Sequence, residues 1–548
     1  MNWLKQYAIP VFVLLVVSTL LFVPFLGIVH LFDWDEINFA ECAREMLVTN
    51  DYLNVKINYL PFWEKPPLFI WLQVLSMKLF GVTEFAARFP NAVCGFFTLL
   101  TLFFLGRRLY DIQFAFFWVL SYLGSILPFV YFKSGIIDPW FNLFIFAGVY
   151  NFSFIYFTKG TVNKYSRIIL SALFIGLAVM TKGPVALLVL GLTAFVFFVL
   201  NRFRLPVTIF QVLLFLGVFV LVGGFWFFLQ ILNGNYDTVK DFIVYQIRLF
   251  NTQDAGHGGF FGYHFVVVLF GVFPASIYAL RGFANIQQNT VNQQIFKEWM
   301  LILLFTVLIL FSVVKTKIVH YSSLTYFPIT YLAAYAVYKT GNIKKRYKNW
   351  VTWFTIIFGL IFILLVASLP FIDQYKELII QNIAIKDEFA LENLKANVSW
   401  KGNEWLVSVI LFVGLGLYLF FTKWRFKTAY IVITVFTAVF SFATMVIITP
   451  KIEQYSQNAA IEFYEKISDE DCYVRTLGYK SYAHVFYSKM KPPTDENWHE
   501  RDWLIFGDID KSAYFVTKIT KKERLLTQYP TLVVLYEKNG FVFCKRNL

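Results

Sequence analysis

The chain has 548 residues, of which 58% are hydrophobic and only 15% charged, with 66 phenylalanines. Soluble domains run at about 45–50% apolar and about 25% charged, so this composition points to a bilayer and excludes an ordinary soluble enzyme. The net charge of +14 would point to nucleic acid in a soluble protein, but here Lys and Arg fall in short loops between apolar blocks, where they report orientation and no nucleic-acid partner is expected.

The first apolar block runs from Tyr7 to Gly27. At about 1.5 Å per residue, about twenty helical residues cross about 30 Å of hydrocarbon. The block exceeds a typical signal-peptide core, lacks a small-x-small cleavage site and is followed at once by Asp33-Trp34-Asp35-Glu36, so it reads as a retained span. Further spans are expected at 88–106, 113–130, 139–157, 168–181, 183–200, 207–231, 264–280, 299–314, 322–338, 350–370, 404–421 and 428–448, thirteen in all. Basic clusters at Arg107-Arg108, Lys159/Lys164/Arg167, Arg202/Arg204, Arg281/Lys297, Lys339 to Lys348 and Lys423/Arg425/Lys427 mark the cytoplasmic side. The N-terminus then lies inside and the C-terminus outside. Counting the apolar stretch Pro66 to Gly81 as a span would invert every later basic loop. It reads instead as a helix lying in or dipping into the outer interface, with Trp63 and Trp71 suited to that depth.

The expected organisation is an all-α polytopic membrane domain over residues 1–450, with a long first outer loop at 28–87, and an extracytoplasmic α/β domain over 451–548. In the latter an amphipathic segment, Ala459 to Ile467, precedes β-type runs at Cys472–Leu477, Trp503–Phe506 and Tyr514–Ile519 and a hairpin around Asn539-Gly540. The four cysteines, Cys42, Cys94, Cys472 and Cys544, are too few for a disulfide framework and form no CxxC pair. A Cys472–Cys544 bond and two free thiols are both open readings.

In this topology the unusual charges fall on the outer side. The first loop carries Asp33, Asp35, Glu36, Glu41, Arg44 and Glu45, then Glu64-Lys65-Pro66-Pro67. Later loops carry Lys133 and Asp138, then Lys182-Gly183-Pro184, then Arg248, Asp254, His257 and His264, and finally Lys315-Thr316-Lys317 with His320-Tyr321. Outer lysines oppose the usual charge bias, and an ionisable group near hydrocarbon costs about 2.5–3.5 kcal/mol on insertion scales. A phosphate at the outer interface is the simplest partner for them, while clustered carboxylates can act as a base or hold a metal. Each residue also has a plainer reading. The lysines can snorkel, Asp138 can cap the helix starting at Pro139, Asp33 or Asp35 can cap one starting near Glu36, and His257 can be a hydrogen-bonding loop residue. The convergence of these groups favours phosphate-linked group transfer. No GxxxxGK[ST] or GxGxxG motif is present, so no nucleotide cofactor is expected. A transporter or flippase is the main rival, although transporters place ionisable residues near the midplane between repeated halves.

Five motifs, in order, resemble the GT-C glycosyltransferases of the ArnT and protein O-mannosyltransferase type (families 83 and 39), in particular the bacterial aminoarabinose transferases of lipid A. They are Asp35-Glu36-x-x-Phe39-Ala40-Glu41-x-x-Arg44-Glu45-Met46, Phe62-Trp63-Glu64-Lys65-Pro66-Pro67 with Trp71, Ile137-Asp138-Pro139, Met180-Thr181-Lys182-Gly183-Pro184, and Lys317-Ile318-Val319-His320-Tyr321. The resemblance implies a GT-C fold of about thirteen spans, an undecaprenyl-phosphate type of sugar donor, transfer with inversion, and a cavity facing the periplasm of a bacterial inner membrane. It further implies that Asp35 is the principal catalytic carboxylate, with Glu36 and Asp138 beside it. Lys65 and Lys182 would engage the carrier phosphate near Tyr321, with Arg44, Arg248 and Lys317 as further substrate-binding residues. A divalent metal would lie near Glu64 and His257, where nitrogen and oxygen donors suit zinc. Asn38 stands where these transferases often carry Arg, and Phe260-Phe261-Gly262-Tyr263 where they tend to carry Pro-Phe-Trp-Tyr. The sugar and the acceptor, whether a lipid A-like lipid, another glycan or a protein, therefore stay open. A monomer among membrane lipids is expected.

Overall fold

A computed structural model describes residues 7–157, 161–203, 207–251, 258–286, 288–340, 349–383 and 385–546. Lys159, Arg204, Asp254, His257 and the basic run 344–348 lie outside these residues.

The expected spans fall on helices, with 113–130 divided between Ile112–Leu123 and Ile126–Tyr131. Among the described residues five helices are long and apolar enough to cross a bilayer unaided: Glu84–Leu109, Val162–Lys182, Val291–Val313, Asn349–Gln374 and Phe426–Gln454. Shorter apolar helices, Ile9–Phe22, Ile112–Leu123, Val185–Leu200 and Leu406–Thr422, pack beside them. The outer faces stay apolar, as with Phe354, Ile357, Ile361 and Leu364 along Asn349–Gln374. A helix that keeps its backbone bonded internally while exposing such residues is at home in lipid. The chain is a multi-pass membrane protein.

Helix ends follow local chemistry. Thr83 caps Glu84–Leu109 and Asp111 caps Ile112–Leu123, each through its side-chain oxygen. Capping boxes, Thr208 with Gln211 and Thr290 with Gln293, open two further helices.

Some expectations needed correction. The block at 264–280 is not straight, because Tyr263–Gly271 and Ala275–Gly282 meet at 111° around Pro274, whose ring cannot continue a helical ladder. The block at 207–231 bends by 56° between Ile209–Gly223 and Phe225–Leu232, at Gly224. The fourth outer loop contains an amphipathic helix, Tyr236–Asn251. The Pro66 to Gly81 stretch is, as expected, a helix that does not span: Leu68–Phe80 has 13 residues and at about 1.5 Å per residue reaches only about 20 Å.

The first outer loop holds the helix Asp35–Thr49, then a hairpin of β1 (Lys56–Ile57) and β2 (Leu60–Pro61). Asn58 and Tyr59 form its turn at φ 54° and 55°, the left-handed conformation that two-residue hairpins require. The C-terminal domain is a four-stranded sheet of β3 (Tyr473–Leu477), β4 (Ala513–Lys518), β5 (Val533–Lys538) and β6 (Phe541–Arg546), in the order β3-β4-β6-β5. The β3–β4 pair is parallel and the others are antiparallel, with Asn539-Gly540 as the expected tight turn. The expected strand at Trp503–Phe506 is instead part of a short helix, Arg501–Phe506. All four cysteines are free. Cys544 faces Phe515 of β4, which in turn faces Arg475 of β3, so two strand spacings of about 4.8 Å separate β6 from the strand that Cys472 precedes. A disulfide needs Cα atoms within about 7 Å.

The sheet domain is fused to the first outer loop. Ile37, Ala40 and Met46 share one buried cluster with Ile461, Phe463, Tyr487 and Phe543. Leu31 N donates to Tyr487 Oη at 2.7 Å, and Gln457 Nε2 donates to the Leu31 carbonyl at 2.8 Å. Loop and domain therefore share one side of the membrane, and between them they roof the functional cavity.

Candidate active site

One helix face fixes two outer loops at once. Arg88 and Asn91 lie one turn apart on Glu84–Leu109. The Arg88 guanidinium grips both Glu36 carboxylate oxygens, at 3.0 and 2.8 Å, and donates to the carbonyls of Leu26, Val29 and His30. Asn91 Nδ2 donates to the carbonyls of Ser134 and Ile136 at 2.7 and 2.6 Å, while Gly135 N donates back to Glu36. Burial disfavours a charged Glu36, but Arg88 and the two backbone N–H donors outweigh it and hold the carboxyl below the ordinary glutamate range. Glu36 is thus an anchor that presents its neighbour Asp35.

Asp35 and Asp138 meet across His320. His320 Nε2 lies 3.3 Å from Asp35 Oδ2 and 3.9 Å from Asp138 Oδ2. The other oxygen of Asp138 accepts from Lys182 Nζ at 2.7 Å. Neither aspartate caps its helix: the N-cap positions are Trp34 and Ile137, and no side-chain capping bond is made. Asp138 is almost fully buried, whereas Asp35 is 30% exposed to the cavity. Burial holds the His320 imidazolium below its ordinary pKa, with the two aspartates opposing that and Lys182 and Lys65 adding to it.

Lys182 ends the helix Thr161–Lys182, and Gly183 at φ 115° turns the chain into Pro184 and the helix Val185–Leu200. A left-handed residue suits that position, which explains glycine between the lysine and the proline. Lys65 enters from the first loop, its ammonium 5.2 Å from the centre of the Tyr245 ring, and burial lowers its proton affinity. Tyr245 Oη donates to Glu64 Oε2 at 3.1 Å, and the Arg248 guanidinium lies 5.2 Å from the same ring.

Two cavities converge on these groups. A polar cleft with about 1750 Å³ of empty space is lined by Asp35, Glu36, Glu64, Arg248 and His320, and by Lys480 from the sheet domain. An apolar groove of about 820 Å³ runs between helices past Phe141, Ile145, Val185, Val189 and Leu324. Lys65, Lys182 and Tyr321 line both. A third chamber of about 720 Å³, between the first loop and the sheet domain, shares Asp33 and Lys480 with the cleft and adds Lys518.

Of the expected site residues, Asp35, Glu36, Glu64, Lys65, Asp138, Lys182, Arg248 and Tyr321 are brought together. Two are not. Arg44 is buried against Glu41, with contacts of 2.7 and 2.6 Å, and so holds its own helix together. Lys317 donates to the carbonyls of Phe311, Ser312 and Val314 and closes the end of Val291–Val313, where a cation suits the helix dipole. Lys133 does the same for the first helix through the carbonyls of Leu21, Phe22 and Pro24. Among the described residues no three His, Cys, Asp or Glu side chains converge as a metal site. Glu64 is engaged with Tyr245, and His257 lies outside the described residues. Sequence reasoning gave His320 and Tyr245 no role, although His320 sits beside the Lys317 and Tyr321 positions of a recognised motif.

The fold has known counterparts. The crystal structure of ArnT from Cupriavidus metallidurans bound to undecaprenyl phosphate superposes with a TM-score of 0.78 over 98% of both chains, at 16% identity. Its apo form superposes with a TM-score of 0.76. The chain has the fold of ArnT. Residues 64–226, which hold Glu64, Lys65, Asp138 and Lys182, match the family described as dolichyl-phosphate-mannose-protein mannosyltransferase. The undecaprenyl phosphate-α-4-amino-4-deoxy-L-arabinose arabinosyl transferase of Aeromonas hydrophila is 27% identical over 341 residues, 62% of each chain. The protein of the same name from Pectobacterium atrosepticum is 28% identical over 341 residues, 61% of this chain and 60% of that one. The chain therefore spans about three fifths of the length of these curated relatives.

Proposed function

We propose that this protein transfers a sugar from a polyprenyl-phosphate carrier to an acceptor of the cell envelope, at the outer face of a bacterial inner membrane. The observation that carries the proposal is the junction at Lys65 and Lys182, where an apolar groove sized for the start of a lipid tail opens into a carboxylate-lined cleft. A phosphate there would meet two ammonium groups, with its tail in the groove and its sugar in the cleft. Lys65, with its lowered proton affinity, gains most from such an anion.

Transfer needs little else, because the donor brings its own leaving group. The acceptor oxygen attacks the anomeric carbon from the face opposite the phosphate. The carbon–oxygen bond to phosphate breaks, and the phosphate keeps the electron pair under the charge of Lys65 and Lys182. Asp35 takes the proton of an acceptor hydroxyl, or positions an acceptor phosphate that has none to lose. Inversion follows from the single displacement. The chamber shared through Asp33 and Lys480 gives the acceptor a way in from the sheet domain.

The A. hydrophila and P. atrosepticum relatives are named as arabinosyl transferases that use undecaprenyl phosphate, which favours a lipid of that class as carrier. A flippase would need its charges on a path across the membrane. Here they gather at helix ends beneath a roof made by the first loop and the sheet domain. A metal at Glu64 and His257 is carried as part of the proposal, with no step assigned to it. Retention of stoichiometric zinc in purified protein, lost in the Glu64→Ala/His257→Ala variant, is the result expected.

The test is a mass-spectrometric comparison of envelope lipids and glycoproteins from cells with and without the gene. One glycosylated species should disappear and return with the wild-type chain. An unchanged profile, under conditions where the protein is made, would contradict the proposal.

A further inference from the structure

Lys182, Asp138, His320 and Asp35 form one continuous line of polar contacts. Lys182 Nζ touches Asp138 Oδ1 at 2.7 Å, and His320 Nε2 stands between Asp138 Oδ2 at 3.9 Å and Asp35 Oδ2 at 3.3 Å. One N–H on Nε2 serves only one of those two carboxylates at a time. Nε2 sits nearer Asp35. Asp138 Oδ2 is buried and has no hydrogen-bond partner of its own, so the inner carboxylate is satisfied on one side only, by Lys182.

The backbone that carries the ring is held in place. Asn142, one turn after Asp138 on the same helix, donates to Ser323 Oγ at 2.7 Å, and Ser323 Oγ donates to the His320 carbonyl. The His320 backbone is thereby pinned to the helix that carries Asp138. The Tyr321 ring packs edge-on against the imidazole, with centroids 5.4 Å apart.

We propose that His320 is a positioning residue that couples the donor phosphate to Asp35. The proposal rests on the sugar-transfer reading above, since it takes the phosphate to be the partner of Lys182. When a phosphate draws Lys182 away, Asp138 loses its only partner and becomes the better acceptor for the Nε2–H. His320 then leans toward Asp138 and releases Asp35 Oδ2. A carboxylate with no N–H directed at it is a stronger base. Asp35 Oδ2 is therefore open to an acceptor proton only when a donor is loaded, so an acceptor hydroxyl is not activated before the donor is in place. No bond is made or broken in this step, and the proton stays on Nε2.

The groups facing the imidazole come from several elements. Asp35 lies on the first loop, Asp138 on its own helix, Lys182 at the end of another and Lys65 beyond it. His264 lies within electrostatic range of both His320 and Lys317, and Glu64 and Arg248 line the same cleft. Freeing Asp138 sets an unpaired carboxylate about 4 Å from the ring, and an opposite charge at that range raises a histidine pKa by about 1–3 pH units.

The experiment is the titration of His320 by NMR, in full-length protein carrying isotope-labelled histidine, with the resonance assigned by its loss in His320→Gln. The probe is undecaprenyl phosphate, with its binding followed by thermal stabilisation of the same samples. The His320 pKa should rise by at least about one pH unit on binding, and this rise should be absent in Asp138→Asn. In turnover assays His320→Ala should keep donor affinity within about threefold and lose about 10- to 100-fold in kcat, and His320→Gln, which keeps an N–H near Nε2, should recover most of it. Binding of the probe without a His320 shift would overturn the coupling and leave the sugar-transfer reading standing. Failure of the wild-type protein to bind the probe would overturn both.

Discussion

Asp35→Asn separates chemistry from architecture at this site. The substitution keeps the shape of the side chain and removes its charge and basicity. The carboxylate is 30% exposed, makes no capping bond, and has the His320 imidazole 3.3 Å away. An accessible pair of that kind contributes about 0.2–1 kcal/mol, and an amide oxygen can still accept from Nε2, so folding should survive. General-base contributions are typically about 10² to 10⁴ in rate, so kcat should fall by that range while the KM for donor moves little. Asp138→Asn makes the contrast. It breaks a pair with Lys182 whose carboxylate is 3% exposed, and removing one partner of a buried pair costs about 3–5 kcal/mol, so that variant should lose stability as well as rate. The assay is transfer from an undecaprenyl-phosphate sugar alongside thermal unfolding. An Asp35→Asn enzyme active within about tenfold of wild type would remove Asp35 from the chemistry.

Lys317→Ala should lower thermal stability by about 1–3 kcal/mol, because the last carbonyls of Val291–Val313 lose their donor, while affinity for undecaprenyl phosphate stays unchanged. Glu36 contributes stability that is present above the ordinary glutamate pKa of about 4.3 and is lost as pH falls through its lower folded-state value. Glu36→Gln should therefore flatten the acid limb of the stability–pH curve measured by thermal unfolding. Lys480→Ala with Lys518→Ala, at the chamber under the sheet domain, should raise the KM for acceptor and leave donor affinity alone, as steady-state kinetics with each substrate varied would show.

Much of the helical framework was legible because a bilayer imposes a length and a composition on any helix that crosses it. The sharp turn near Pro274 had a visible cause in the proline. The bend at Gly224 had none, since glycine is common in membrane helices and tolerated without bending. Trp503–Phe506 was misread because a short apolar run fits a strand or a helix equally well, and neighbours decide. Single outer lysines looked alike in the sequence. The structure divides them by whether carbonyls at a helix end lie within reach, as they do for Lys133 and Lys317 but not for Lys65. Arg44 could have been read as local, since Glu41 lies three residues before it on the same helix. His320 could not, because its partners come from two other loops far along the chain, and only the fold sets their oxygens on either side of one nitrogen.

The central claim is that a lipid-linked phosphate sits between Lys65 and Lys182. The most direct measurement is the affinity of purified wild type, Lys65→Ala and Lys182→Ala for undecaprenyl phosphate, with Lys317→Ala as the outer-lysine control. Each charge-assisted contact is worth about 1.5–3 kcal/mol, so each of the two variants should bind about tenfold to 150-fold more weakly while the control binds as wild type does. Wild-type affinity in both Lys65→Ala and Lys182→Ala would contradict the account.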